Sequence, residues 1–382
     1  MTIYLIWFAV IVALYVFGHS KMKRARNVYV LGVYLLGLAL FVGFADMLGG
    51  YDRYIYAELF DRMADANRRG ENPFMSESFL FYKSDFGYGM YCAVVSYITA
   101  NRYIFILITT LVIYTLLFVS LKDYVNDYAF AVILFMGLFF FFTFTYLRQV
   151  MGVVTAWLAV RYIIKRKIIP FLIIVFVAFS LHNSAIIFLP LYFSPIKKLP
   201  MWAVIAVMVV CLLIGLSSIP SSLFEMYGEL DAERANATDY ARETGFRFEY
   251  LLEAVAFLSL ILFEYSHIPN RKGNVVLLNI ALLFCATLLI FIQSENGGRL
   301  AWYYMIGVIA TLTLLATRKR KLSYYGIGLI VMSFLLYFRI LYAWGIQLSP
   351  YKTFLTDGIR EGDYIEEKYE YDHSYDTDKM YR

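Results

Sequence analysis

The sequence predicts an all-α, polytopic integral membrane protein with about 10–13 transmembrane helices and a re-entrant or hairpin segment near His182. Three observations carry that prediction. Only 16% of the residues are charged, against roughly 25% in a soluble domain, and the mean hydropathy is +0.64. The apolar residues gather into runs of about 20, the length that crosses a bilayer as a helix. These runs lack the period-two alternation of a membrane barrel, so backbone groups in hydrocarbon must find partners inside their own helices.

Read in order, the crossings fall at 3–19, 28–46, 103–121, 128–147, 149–164, 201–219, 250–265, 274–293, 301–317 and 323–344. The first run has no positive charge ahead of it, and its basic cluster follows, so it reads as a retained span rather than a cleaved signal. Basic clusters at Lys21–Arg26, Arg161–Lys167, Lys197–Lys198, Arg271–Lys272 and Arg318–Lys321 mark the cytoplasmic side. The loops 51–85 and 220–249 and the tail 345–382 carry more acidic than basic residues and are placed outside. Parity then makes two demands. For Lys167 and Lys198 both to be inside, 168–194 must enter and return, turning near His182; and 86–100 must be a short re-entrant or interfacial helix. Residues 1–344 form a single transmembrane domain, residues 345–382 a polar, Tyr-rich tail, and both termini face outward. Cys92, Cys211 and Cys285 lie far apart in apolar runs and fit no metal or disulfide spacing. The net charge of +5 follows from the cytoplasmic clusters and gives no reason to expect nucleic acid.

Ionisable groups in the membrane are costly, and each one found there raises a functional hypothesis. Arg148, beside Gln149 and ahead of Gly152 and Thr155, lies between two spans with no other charge near it in sequence. A lone arginine of this kind snorkels to headgroups, pairs with a carboxylate on another span, or lines a polar pocket. His182, flanked by Ser180, Asn183 and Ser184, sits at the turn of the proposed hairpin, where an imidazole can take a proton from a hydroxyl at neutral pH. Arg299 follows two glycines at the start of a span; it can grip a phosphate in a fork or pair with Glu295. Asp52 opens the first outer loop and Asp85 closes it, and either carboxylate could bind sugar hydroxyls or act as a base. No phosphate-cradling glycine loop, zinc-binding histidine pair or nucleophile elbow is present.

The stretch from Thr143 to Phe193 resembles the EpsG branch of the Wzy-like polysaccharide polymerases. The carriers of that resemblance are the Arg148–Gln149 pair before a small-residue helix, the basic turn at Lys165–Lys167, and the His182–Asn183–Ser184–Ala185 segment beyond it. Asp85 to Tyr88 resembles the family's acidic-x-Gly-aromatic lead-in, with Asp85 standing where the family often carries Glu. Arg299 with Trp302, Tyr303 and Tyr304 resembles its late arginine–tyrosine segment. The resemblance implies a glycosyltransferase of the bacterial cell membrane. Such an enzyme joins oligosaccharide repeat units carried on undecaprenyl pyrophosphate into exopolysaccharide, capsule or O-antigen. It implies no cofactor and no metal, with membrane lipid and a chain-length regulator as further candidate partners. On this reading Arg148 and His182 are catalytic, and Arg299, Gln149, Asn183, Asp52 and Tyr303 bind substrate. Two rival activities are a flippase for the same lipid-linked sugars and a membrane O-acyltransferase. The first usually shows internal repeats, which are absent here; the second needs a charged inner pocket, also absent from the sequence.

Overall fold

The computed structural model describes residues 1–18, 27–50, 52–222, 245–318 and 322–355. The Lys21–Arg26 cluster, Lys319–Lys321, most of the loop 220–249 and the tail from 356 onward lie outside the described residues. The chain is all-helical among the described residues apart from an isolated bridge, and it is a multi-pass membrane protein.

The first spans are α1 (Thr2–Gly18) and α2 (Val28–Gly43). An amphipathic helix, α3 (Arg53–Arg68), follows, and then the short α4 (Phe86–Ser96). Next come α5 (Arg102–Tyr124), α6 (Tyr128–Leu138), α7 (Leu147–Trp157, continued by Val160–Ile164) and α8 (Ile168–Leu181). The last group is α9 (Met201–Gly215), α10 (Phe248–Phe263), α11 (Lys272–Ile290), α12 (Met305–Ala316) and α13 (Tyr324–Ala343). Polar caps fix where several of them begin. The Asn101 side chain accepts from the N–H groups of Tyr103 and Ile104 at 2.8 and 3.2 Å, and Asp127 accepts from that of Phe130 at 3.1 Å. Helices α6, α11 and α12 are buried over nearly their whole surface and form the centre. Around them α1, α8, α9, α10 and α13 turn large apolar side chains outward, among them Trp202, Phe263 and Tyr342. An apolar surface of that extent suits lipid rather than water.

Segment 168–194 is the hairpin that charge parity demands. α8 has 14 residues and a length of about 21 Å, short of the roughly 30 Å hydrocarbon core. At His182 the chain reverses and returns as a 3-10 helix, Asn183–Phe193, packed against α8. Pro190, which has no N–H to donate, lies within the return. The base is closed by Arg166, whose guanidinium donates to the carbonyls of Tyr192 at 2.7 Å and Ser194 at 3.1 Å. α4, with 11 residues and about 16 Å long, is likewise too short to cross, and it packs between α3 and α8.

One expected span needs correcting. The run 128–147 is not a single helix: α6 ends at Leu138, the chain turns through Phe139–Phe141, and a four-residue helix, Phe142–Thr145, precedes α7. The four consecutive phenylalanines 139–142 reach aromatic neighbours on separate parts of the chain. Phe139 meets Trp157, Phe141 meets Tyr337, and Phe142 stacks on Trp302 at 4.2 Å. One helical face could not serve all of these. Hydropathy reads the break as continuous because every residue in it is apolar.

Arg53, fully buried at the start of α3, donates to the carbonyls of Gly43 and Ala45 at 3.3 and 2.8 Å, so this cation closes the end of α2. Residues 345–355 fold back on the same place. Phe354 N–H donates to Phe44 O, and Tyr351 stacks on Phe41 at 4.4 Å.

Candidate active site

At the end of the bundle opposite Arg166 and Lys198, the polar residues singled out in the sequence converge. Asp85 lies directly before α4 and is fully buried. One of its oxygens sits 2.8 Å from Arg148 Nη1, and the other accepts from the N–H of Asn183 at 2.7 Å. A single carboxylate therefore joins the lead-in to α4, the start of α7 and the tip of the hairpin. Gly87 makes the approach possible: a Cβ there would lie 2.8 Å from Ser180 Cβ, so any side chain would push α4 off α8. The other side of Arg148 faces the Tyr82 ring at 5.9 Å, and its buried Nε has no hydrogen-bond partner.

His182 is buried at the tip, packed over Gly152 of α7, where a Cβ would meet His182 Cβ at 3.2 Å and the Tyr303 hydroxyl at 3.4 Å. Its Nδ1 lies 3.3 Å from the N–H of Ser184 and 2.7 Å from Ser184 Oγ, which in turn is 3.0 Å from the Tyr303 hydroxyl. A backbone N–H can only donate, so Nδ1 carries the lone pair and, in the neutral ring, Nε2 carries the proton. Held this way, His182 offers a hydrogen-bond donor. Tyr303 is itself fixed, because Trp157 Nε1 donates to its carbonyl at 2.9 Å.

Arg299, in the short helix Gly298–Ala301, lies over the Tyr146 ring at 4.4 Å and donates to its hydroxyl at 3.2 Å. Gln149 is buried and its amide reaches the Arg299 carbonyl at 3.4 Å, tying this helix to α7. Asp52 stands at the N-cap of α3, yet its carboxylate makes no cap hydrogen bond; its N–H donates to Thr145 Oγ1 at 2.7 Å instead. Burial pushes the Asp52 carboxyl above its ordinary range, and the charges of Arg299 and Arg148 pull against that shift. Both arginines also act electrostatically on Tyr56 and His182, so their charge is felt across this end of the fold. Among the described residues no group of three or more His, Cys, Asp and Glu side chains is placed to hold a metal ion.

All seven residues proposed from the sequence thus reach one end of the fold. Tyr146 and Ser184 complete the site without having been assigned a part in it. Tyr146 is one aromatic among 34 tyrosines, and only its placement under Arg299 distinguishes it. Two further charges, Glu253 and Arg339, lie inside expected spans and share a cavity with Arg299. The cost argument that singled out Arg148 would have found both.

The fold and this site define a polytopic membrane protein with a charged, partly buried pocket at one end of its helical bundle. Residues 28–353 match the model of the EpsG family. The chain belongs to that family, a Wzy-like polysaccharide polymerase family. No curated protein and no solved structure matches it.

Proposed function

We propose that the protein joins oligosaccharide repeat units carried on undecaprenyl pyrophosphate into a longer polysaccharide at the outer face of the bacterial cell membrane. The observation that carries this reading is the meeting of two arginines, Arg148 and Arg299, with a carboxylate not engaged in capping, that of Asp52. The basic residues Arg166 and Lys198 mark the opposite end, which supports an outward-facing site by the positive-inside rule.

In the proposed step an acceptor sugar hydroxyl attacks the anomeric carbon of the lipid-linked donor. The new glycosidic bond forms as the bond from that carbon to the pyrophosphate oxygen breaks. The hydroxyl proton passes to Asp52, and the lipid pyrophosphate leaves with its charge held by the guanidiniums. Donors aimed at charge that develops in the transition state are worth about 10²–10³-fold each. His182, expected from the sequence to be the base, fits better as a donor from Nε2 to a substrate oxygen, since its Nδ1 lone pair is engaged by Ser184. Asn183 gives its N–H to Asp85, and Gln149 braces the Arg299 helix; both therefore position the site.

The test is purified protein in lipid nanodiscs with lipid-linked repeat units, products being resolved by size. A ladder of longer lipid-linked glycans is the expected result. Absence of a ladder, with movement of the intact substrate across liposomes, would replace this reading by transport.

A further inference from the structure

Beside the site lies a cavity of 290 Å³ that the reaction described above does not use. It is bounded by α10, α11 and α13, and by the chain on either side of the α6 break. Its two ends differ in chemistry. Near the site it presents Tyr250, Glu253, Arg299 and Arg339; deeper it is lined by Leu138, Phe284 and Leu336. Glu253 is five residues into α10, and Arg339 four residues before the end of α13. At 1.5 Å per residue both sit about 6–8 Å below the helix ends, one turn into the apolar layer. They act on each other electrostatically, and among the described residues neither makes an ion pair at contact distance, although each is costly to keep in such a place. Arg339 and Ala343 are exposed on the outward face of α13, so the cavity opens sideways toward lipid.

The geometry points to this cavity as a lateral doorway that takes the diphosphate and first chain links of a polyprenyl lipid from the bilayer and delivers the diphosphate to Arg299. Two arginines against one glutamate leave the polar end net positive, which suits an anion. The apolar floor suits a hydrocarbon chain and not a water-soluble phosphate. A volume of 290 Å³ is at or below the lower edge of pockets that bury a drug-sized ligand, about 300 Å³, so it holds a headgroup and not a whole oligosaccharide. Trp302 and Trp344 line the same space, and Trp302 stacks on Phe142 at 4.2 Å, giving the doorway a rigid aromatic wall. Tyr250 can close against it only because Gly298 has no side chain: a Cβ there would lie 2.7 Å from the ring. The inference rests on the polymerase reading for the identity of the headgroup, and its test therefore reads binding rather than polymer.

The full chain in nanodiscs would be titrated with a long-chain polyprenyl diphosphate carrying a photoreactive group in its first isoprene units, and the cross-linked peptides mapped. Cross-links are expected in 250–257 and 336–344, with affinity reduced about tenfold in Arg339→Gln and in Ala343→Trp, which narrows the mouth without removing charge. Inorganic pyrophosphate should bind Ala343→Trp as it binds the parent, and Arg339→Gln more weakly. Cross-links confined to other helices, equal affinity in Ala343→Trp, or equal displacement by phosphatidylglycerol would each overturn the doorway. A protein that binds the lipid here and makes no ladder keeps the doorway and loses the polymerase. A protein that makes a ladder with Ala343→Trp unimpaired does the reverse.

Discussion

Two buried arginine–aspartate pairs among the described residues differ in what surrounds them. Arg102 at the start of α5 holds Asp61 of α3 through Nε at 2.7 Å and through Nη2, with side-chain exposures of only 2% and 5%. Arg148 holds Asp85 through Nη1 alone, is 16% exposed, and shares its surroundings with Asp52, Arg299 and the hairpin tip. The first pair is doubly bonded and sealed; it ties two helices together. The second is joined through a single guanidinium nitrogen and is partly exposed. An ionisable residue in a membrane is thus a reason to look, and its exposure and the charges around it decide what is found.

The sharpest way to break this contrast is Arg148→Gln together with Asp85→Asn, which removes the charge without stranding a buried carboxylate. Folding should survive by size-exclusion chromatography and thermal melt, while polymer formation falls by about 10²–10³-fold or more. Unchanged polymer yield would reduce Arg148 to a second copy of Arg102. Asp52→Asn should follow, with a loss of about 10²–10⁴-fold, the span of a general base. Its pH profile is the informative readout. Because burial raises the Asp52 carboxyl, it becomes protonated, and inactive as a base, at a pH above the usual aspartate range as the solution is acidified. The parent should therefore show an acid limb above that range, and Asp52→Asn should lose the limb along with the rate. His182→Gln, which keeps an N–H donor, should retain more activity than His182→Leu; equal and complete loss in both would return the base to His182. The smallest effect on catalysis is expected at the sealed pair. Arg102→Ala alone should destabilise by about 3–5 kcal/mol by leaving a buried charge, whereas Arg102→Met with Asp61→Leu should melt within a few degrees of the parent. In both, activity per folded molecule should be unchanged.

Much of the architecture was legible before any coordinates. Two basic clusters on either side of 168–194 require an even number of passages, and the polar tip at His182 marks where the chain turns. The break at Phe139–Phe141 was invisible, because its cause is the pull of aromatic neighbours from three other parts of the chain. At the site, Arg148 and Arg299 could be picked out by cost. That Asp85 binds Arg148 could not be, since pairing across the fold leaves no local pattern. The tautomer of His182, which moves it from base to donor, is set by the direction of one backbone N–H at Ser184. Glu253 and Arg339 were hidden for a different reason: hydropathy averages over a window, and one or two charges in a run of apolar residues do not lower it enough to be noticed.

The hairpin tip also fixes an order of assembly. Its partners Asp85 and Arg148 are synthesised before it, so the carboxylate and the guanidinium are already in the membrane when Asn183 emerges. Tyr303, which holds Ser184, comes more than a hundred residues later. A chain released from the ribosome before that point carries Asp85, Arg148 and the hairpin tip without the tyrosine that meets Ser184, so this end of the fold is among the last parts of the molecule to be completed.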